Sequence, residues 1–456
     1  MQSDVPVPPA RPLTGGIRGS RVLARTSLVG TLGLAAAVFV GMPGQGVPPP
    51  EVTTEAVELT APAEPVAPGW TGEAAVDPEL VGIEWEGEAQ AAFTIETRDE
   101  SGAWSPAGTV ETQPRDEGPD DGSADAANRP AGNVSEPLWV GDHVTGVRVR
   151  LDQGAVADVE LHAVESPPTG VPDGSAVADD GLVLVGQGID SAPRALAVLA
   201  IVAAALGLAL TRSHTRSATP VSFHPRRGVV ALLAVTSIGL AACVPAPPPP
   251  SGSVPDGMIS RAAWGANEGL RTANCPGGPD YMPTGVTFAV VHHTVNSNNY
   301  GAGQGSQLVR GIYGYHTQSL GYCDIAYNFL VDRYGNLFEG RYGGAGNAVM
   351  GAHALGFNTS STGVALIGDF RTAVPPVAAF ATLQRVLAWK LRVHGINPNV
   401  NVQYRTTGNE KWAANTTVTV PTITYHGYTG YSECPGAQVV NRMGQIRSAV
   451  SQQMGY

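Results

Sequence analysis

Three residues in the last two hundred positions of this 456-residue chain have side chains suited to a transition-metal ion. They are His292 within Val290-Val291-His292-His293-Thr294, His426, and Cys434, which lies eight positions after His426 within Ser432-Glu433-Cys434-Pro435-Gly436. Two imidazoles and one thiolate suit Zn2+, and a three-ligand set keeps a fourth position open for water or substrate, the mark of a hydrolytic rather than a structural site. Between them lies Tyr327, within Asp324-Ile325-Ala326-Tyr327-Asn328-Phe329, whose hydroxyl is a candidate donor to a developing oxyanion. Each histidine taken singly reads as a satisfied structural residue. It is the set that points to chemistry.

These side chains need a scaffold, and the hydrophobic pattern outlines one. Thr287–His293 is a compact apolar run that ends in the histidine pair, a buried strand delivering a ligand at its end. Ser306–Thr317 reads as a helix, Ile325–Asp332 as a strand, and Tyr334-Gly335-Asn336 as a tight turn into Leu337–Glu339. Gly363–Gly368 is a further buried strand. Val377–His394 sets Phe380, Leu383, Leu387 and Leu391 on one helical face, and Gly436–Gln452 closes the domain as a helix. Residues 258–456 are therefore expected to form a mixed α/β domain, a central sheet flanked by helices. Residues 76–170 alternate apolar and polar positions from Leu80 on, with Asp99-Glu100-Ser101-Gly102 as a hairpin turn, and predict a small all-β domain. Within it Gln113–Val134 reads as a long exposed loop, and Trp85, Trp104 and Trp139 as core residues or, alternatively, a carbohydrate platform.

The net charge of −12 is unevenly distributed. Residues 1–250 carry −16 and residues 251–456 carry +4. The acidic half argues against nucleic acid as a partner. Three apolar, charge-free stretches punctuate the chain, 26–42, 195–210 (within an expected spanning segment 194–211) and 228–243. Each is short for a spanning helix. Basic residues precede the first, in the cytoplasmic N-terminus 1–25, and fill the loop 212–227, so the positive-inside rule places 43–193 and the C-terminal domain outside. Residues 43–75, 171–193 and 244–257 read as linkers, the last proline-rich. Segment 26–42 reads equally as a signal peptide. Leu240-Ala241-Ala242-Cys243 resembles a lipobox, with Cys243 as its lipidation site. The expectation is a cell-envelope protein held to the membrane, with both folded domains extracytoplasmic. Cys275 and Cys323 flank a predicted strand and helix, and in an oxidising compartment they are expected to be bridged.

The C-terminal domain resembles the peptidoglycan recognition protein and type 2 N-acetylmuramoyl-L-alanine amidase superfamily. The resemblance rests on Ile259-Ser260-Arg261-Ala262-Ala263-Trp264-Gly265-Ala266, Val291–Thr294, Asp324–Phe329, Gly351–Asn358, Gly363–Phe370 and Cys434-Pro435-Gly436, in that order. Residues 76–170 resemble, more loosely, the accessory β domain of actinobacterial members. The resemblance implies a Zn2+ enzyme with His292, His426 and Cys434 as ligands and His293 in a packing role. It further implies Tyr327 and Ser432 as catalytic groups, and Thr294, His353 and Asn358 lining the groove for the peptidoglycan stem and glycan. The implied reaction is hydrolysis of the amide between N-acetylmuramic acid and L-alanine. Two positions depart from the pattern. Ser432 stands where catalytic relatives carry threonine or lysine, and His426-Gly427-Tyr428 replaces His-Arg-Asp. These departures keep a second expectation open, a non-catalytic wall-binding or wall-tethering protein.

Overall fold

The structure, a computed structural model, describes residues 51–60, 64–113, 117–168 and 254–456. The candidate membrane segments 26–42, 194–211 and 228–243, the basic segments 1–25 and 212–227, the linker 171–193 and Cys243 lie outside the described residues. Among the described residues no helix is long and apolar enough to cross a membrane.

The N-terminal part is a β-sandwich of nine strands: β1 (Thr53–Glu58), β2 (Thr71–Ala74), β3 (Leu80–Gly87), β4 (Ala92–Arg98), β5 (Trp104–Glu111), β6 (Asn133–Val134), β7 (Leu138–Trp139), β8 (Gly146–Gln153) and β9 (Val156–Glu165). One sheet runs β1-β9-β3-β6 with β7 also on β3, and the other runs β2-β8-β4-β5. Inward residues of both sheets, among them Ile83, Trp85, Phe93, Ile95, Val149 and Leu161, fill the space between them, the pattern that period-2 alternation produces. The span 43–75 is therefore not wholly a linker. Its strand β1 pairs along β9 from Thr53 to Glu58, and β2 pairs with β8. Both are edge strands with much of their surface exposed, so their polar composition hid them. Trp85 and Trp139 are core residues, and Trp104 lies under Arg148, whose guanidinium is 4.0 Å from the ring centroid.

The C-terminal part is built on a six-stranded sheet. Its strands are β10 (Met258–Ile259), β11 (Phe288–His293), β12 (Phe329–Val331), β13 (Leu337–Glu339), β14 (Ser361–Leu366) and, after the separate hairpin β15 (Asn401–Arg405) and β16 (Thr417–Pro421), β17 (Ile423–Tyr425). The sheet order is β10-β13-β12-β14-β11-β17. Strand β11 pairs in parallel with β14 on one side and β17 on the other, which is why it is a nearly continuous apolar run. Helix Val377–Val393 begins after Pro375-Pro376 and packs Ala379, Leu383, Val386, Leu387 and Leu391 on the sheet, with Phe380 partly buried beside them. Each such leucine stabilises the fold by roughly 1.5–3 kcal/mol. The final helix is broken into Ala437–Val440 and Met443–Met454. The strand expected over Ile325–Asp332 shrinks to Phe329–Val331 because the segment before it bonds elsewhere. The Ala326 N–H donates to His316 Nδ1 at 3.0 Å, and the Ala326 carbonyl accepts from Ala352. Cys275 and Cys323 form a disulfide with a Cα–Cα distance of 5.2 Å.

The described residues fall in one compact unit, and a buried helix is one of the attachments between its halves. Every residue of Gly305–Gly314 is buried, and a π-turn, Tyr315–Ser319, continues it. On one side Tyr313 meets Trp264. On the other, the Tyr315 hydroxyl donates to the Ser135 carbonyl at 2.9 Å and Ser166 Oγ donates to the Gln307 carbonyl at 2.8 Å. Within the segment expected to be an exposed loop, residues 117–120 and Asp125 are instead buried against the C-terminal domain, while much of 121–134 stays exposed as expected. The buried acids there, Glu117, Asp120 and Asp125, serve partners in the fold rather than solvent.

Lys390 is buried in the Val377–Val393 helix and donates to the carbonyls of Ala345 at 2.7 Å and Asn347 at 2.6 Å. Burial pushes its ammonium down to about 7. The folded state thus binds fewer protons than the unfolded state between about pH 7 and the ordinary lysine range, so stability rises with pH across that window. Denaturant titrations of wild type should show this rise, by up to roughly 5 kcal/mol, and Lys390→Met should remove it.

Candidate metal centre

The two histidines of β11 point in opposite directions because a strand alternates. Phe288 and Val290 pack with Ala354, Phe357 and Tyr404 on one face, and His292 follows them. Ala289 and Val291 pack with the Val377–Val393 helix on the other face, and His293 follows those. There His293 Nδ1 accepts the Phe370 N–H at 3.2 Å, so His293 is a packing residue. His426 sits at the end of β17, the parallel neighbour of β11. Cys434 reaches the same point from the loop that follows. The candidate ligand atoms of His292, His426 and Cys434 lie within 4.8 Å of one another, and all three residues are buried.

Neighbouring groups set the orientation of each. His353 Nδ1 is 3.0 Å from His292 Nε2, which leaves His292 Nδ1 turned to Cys434 Sγ, 3.6 Å away. Cys434 Sγ also accepts the His293 N–H at 3.3 Å, and Ser432 Oγ accepts the Cys434 N–H at 3.1 Å. A Cβ on Gly436 would fall 2.3 Å from the Phe370 carbonyl carbon, and one on Gly427 2.4 Å from the Ser432 carbonyl oxygen. Glycine at 427 thus lets the ligand loop fold back on itself. Lys411 anchors that loop, donating to the carbonyls of Gly427 at 3.0 Å and Tyr428 at 2.9 Å.

The donor set fits a soft divalent cation. Burial, reinforced by the neighbouring histidines, holds His292 well below the usual imidazole range, so its ring is neutral and offers a lone pair. Burial and the Glu117 carboxylate push the Cys434 thiol well up; a thiolate in this setting needs a cation beside it. Burial, together with nearby carboxylates, keeps the Tyr327 phenol protonated, well above its usual range. Its ring lies 5.4 Å from that of His292, centroid to centroid.

Sequence reasoning missed the residues that close the site. Glu117, from the β-sandwich side, places Oε1 3.0 Å from His426 Nδ1 and 3.4 Å from Ser432 Oγ. Burial alone would raise its carboxyl, but His426 and a bond to Glu136 outweigh it and hold Glu117 below the carboxylate range. Burial beside Glu117 drives Glu136 well up, so Glu136 is the protonated partner. The residues expected to line a groove are covered as well. Thr294 Oγ1 accepts the Gly368 N–H at 3.1 Å. Asn358 Oδ1 accepts from the backbone of His353 at 2.7 Å and Ala354 at 2.9 Å, while its amide donates to Gly118 and Asp120. His353, buried and bonded to His292, supports the donor set rather than facing a groove. The only sequence signal for Glu117 was an acidic run in a Gly/Pro-rich segment, which reads as solvent-exposed.

Residues 281–437 match the family model Amidase_2, N-acetylmuramoyl-L-alanine amidase. Peptidoglycan-recognition protein SC2 of Drosophila simulans is 33% identical over 117 residues, 25% of this chain and 56% of its own length. Peptidoglycan-recognition protein SA of Drosophila melanogaster is 32% identical over 125 residues, 27% of this chain and 56% of its own length. The chain thus spans little more than half the length of these curated relatives. Among solved structures, Drosophila PGRP-LB aligns with a TM-score of 0.31 at 23% identity, over 41% of this chain and 92% of that one. The superfamily expected from the sequence motifs is the one that the family model and the curated relatives support.

The geometry assigns His353 to orienting His292. His353→Ala should therefore weaken metal binding by about 10–100-fold, measured by chelator competition. A residue that only lines a groove would leave that affinity unchanged.

Proposed function

We propose that the protein is a zinc-dependent N-acetylmuramoyl-L-alanine amidase that hydrolyses the amide between N-acetylmuramic acid and L-alanine in peptidoglycan. One observation carries this reading: two imidazoles and a thiol, delivered by a strand, its parallel neighbour and the following loop, converge within 4.8 Å in a buried site. The amidase family model over residues 281–437 supports the substrate class. The chemistry needs access to the wall polymer, and the charge pattern of the chain supports placing both folded domains outside the membrane, attached through the apolar segments.

Zn2+ held by His292, His426 and Cys434 would supply a Lewis acid and an activated water. The chain's own groups do the rest. His353 fixes the tautomer and tilt of His292. Ser432 accepts the Cys434 N–H and so acts as a positioning residue for the ligand loop. Tyr327, kept as a neutral phenol, donates to the lactyl carbonyl oxygen as negative charge develops there. Recognition without cleavage is the rival reading, and it draws on the closed approach to His426.

Zinc-loaded protein and its Glu117→Gln form, given purified peptidoglycan, should release stem peptides with a free L-alanine amine, detected by mass spectrometry and abolished by chelator. Tyr327→Phe should lower kcat by about 10²–10³-fold with zinc content unchanged. Stoichiometric zinc with no release from either form would overturn the amidase reading.

A further inference from the structure

The segment between β5 and β6 brings Glu117 within hydrogen-bond distance of His426. We propose that Glu117 is the fourth ligand of the ion held by His292, His426 and Cys434, and that the segment carrying it keeps the cleft closed until it is displaced. The inference rests on the metal reading above and adds to it a residue from the other domain.

Geometry comes first. Glu117 Oε1 lies 3.0 Å from His426 Nδ1. Neighbouring ligands of one tetrahedral ion, each about 2.0–2.1 Å from it, stand roughly 3.3 Å apart. A carboxylate oxygen is an established zinc donor, and Glu117, Ser432 and Cys434 line one small cavity of about 100 Å³ together with Glu136, His293 and Arg371. Charge comes second. A divalent ion with two neutral imidazoles and one thiolate keeps a net positive charge, and burying it is expensive unless it is balanced. One carboxylate makes the site neutral.

The segment is built to stay there. The Gly118 carbonyl accepts from Asn358 Nδ2 at 2.9 Å. Asp120 Oδ1 accepts from the same amide and from the Gly356 N–H, both at 2.8 Å. Asp125 pairs with Arg341 and accepts the Cys323 N–H at 2.9 Å. With these in place His292, His426 and Cys434 are at most 3% exposed, so a glycan strand has no path to them. Peptidoglycan must displace the segment, and with it Glu117, before the lactyl amide can approach Tyr327.

The test uses the full chain loaded with Co2+ in place of zinc, with visible absorption recorded before and after azide. In the wild type the thiolate-to-cobalt band should be present and the ligand-field bands unmoved by azide. In Glu117→Gln azide should shift them, zinc affinity should fall at least about 10-fold, and stem-peptide release should rise at least several-fold. Ligand-field bands that azide shifts as readily in the wild type overturn the proposal, and that arm needs no substitution. Asp120→Asn, which keeps Glu117 but loosens its segment, should give intermediate azide sensitivity; a response identical to wild type would exclude the closing role of the segment. Loss of the thiolate band in every form would instead remove the three-residue metal reading itself.

Discussion

The parallel pairing of Phe288–His293 with a strand on each side fixes everything at the centre of the C-terminal domain. A strand paired on both edges cannot slip its register by one residue without turning its apolar side chains to the wrong face. Phe288 and Val290 are committed to one cluster and Ala289 and Val291 to another, so His292 faces the site and His293 turns to the opposite face, where it meets the Phe370 backbone. The same pairing brings the end of the Ile423–Tyr425 strand alongside, so that His426 arrives at the level of His292. Only Cys434 comes from a loop, and that loop is held by contacts that leave it little freedom: Gly436 against Phe370, Gly427 against Ser432, and Lys411 over the Gly427 and Tyr428 carbonyls.

Burial then decides the electrostatics. Three donors with almost no exposure cannot carry an unbalanced charge, and the surrounding groups divide the work of balancing it. His292 stays neutral, Cys434 holds its proton unless a cation replaces it, and Glu117 is ionised against His426 while Glu136 stays protonated. The site is therefore best understood as one coupled set of groups spanning both domains. Removing any one of them changes the charge that the others must bear.

This explains what was legible in the sequence. The donors and Tyr327 stood out because each sits in a short run whose composition is set by a buried strand or a tight loop, and such runs are recognisable locally. The Leu383, Leu387 and Leu391 face was legible for the same reason, since helical periodicity is a local property. Glu117, Asp120 and Asp125 were not, because an acid that pairs with a distant partner looks in sequence like an acid that pairs with water. The edge strands Thr53–Glu58 and Thr71–Ala74 were hidden by the same ambiguity. The role of His353 was also invisible, since its bond to His292 joins positions 61 residues apart. The departure at Gly427-Tyr428 looked like a lost charged pair; that Lys411 anchors this loop depends on a chain crossing that no local pattern announces.

The two attachments between the halves of the molecule differ in kind, and the difference separates holding from releasing. The Gly305–Gly314 helix and its π-turn join them through apolar packing, with Leu80, Val52, Val164 and Tyr315 in one cluster with Leu308 and Ile312. Opening that contact would expose large apolar side chains, at roughly 1.5–3 kcal/mol each. The segment around Glu117 is attached instead by hydrogen bonds and the Asp125–Arg341 ion pair, polar contacts that bonds to water or to a competing polar ligand can replace. A competing polar ligand can therefore lift the segment while the sandwich stays docked through the helix. The accessory domain can in this way govern access to the metal centre without leaving the domain it governs.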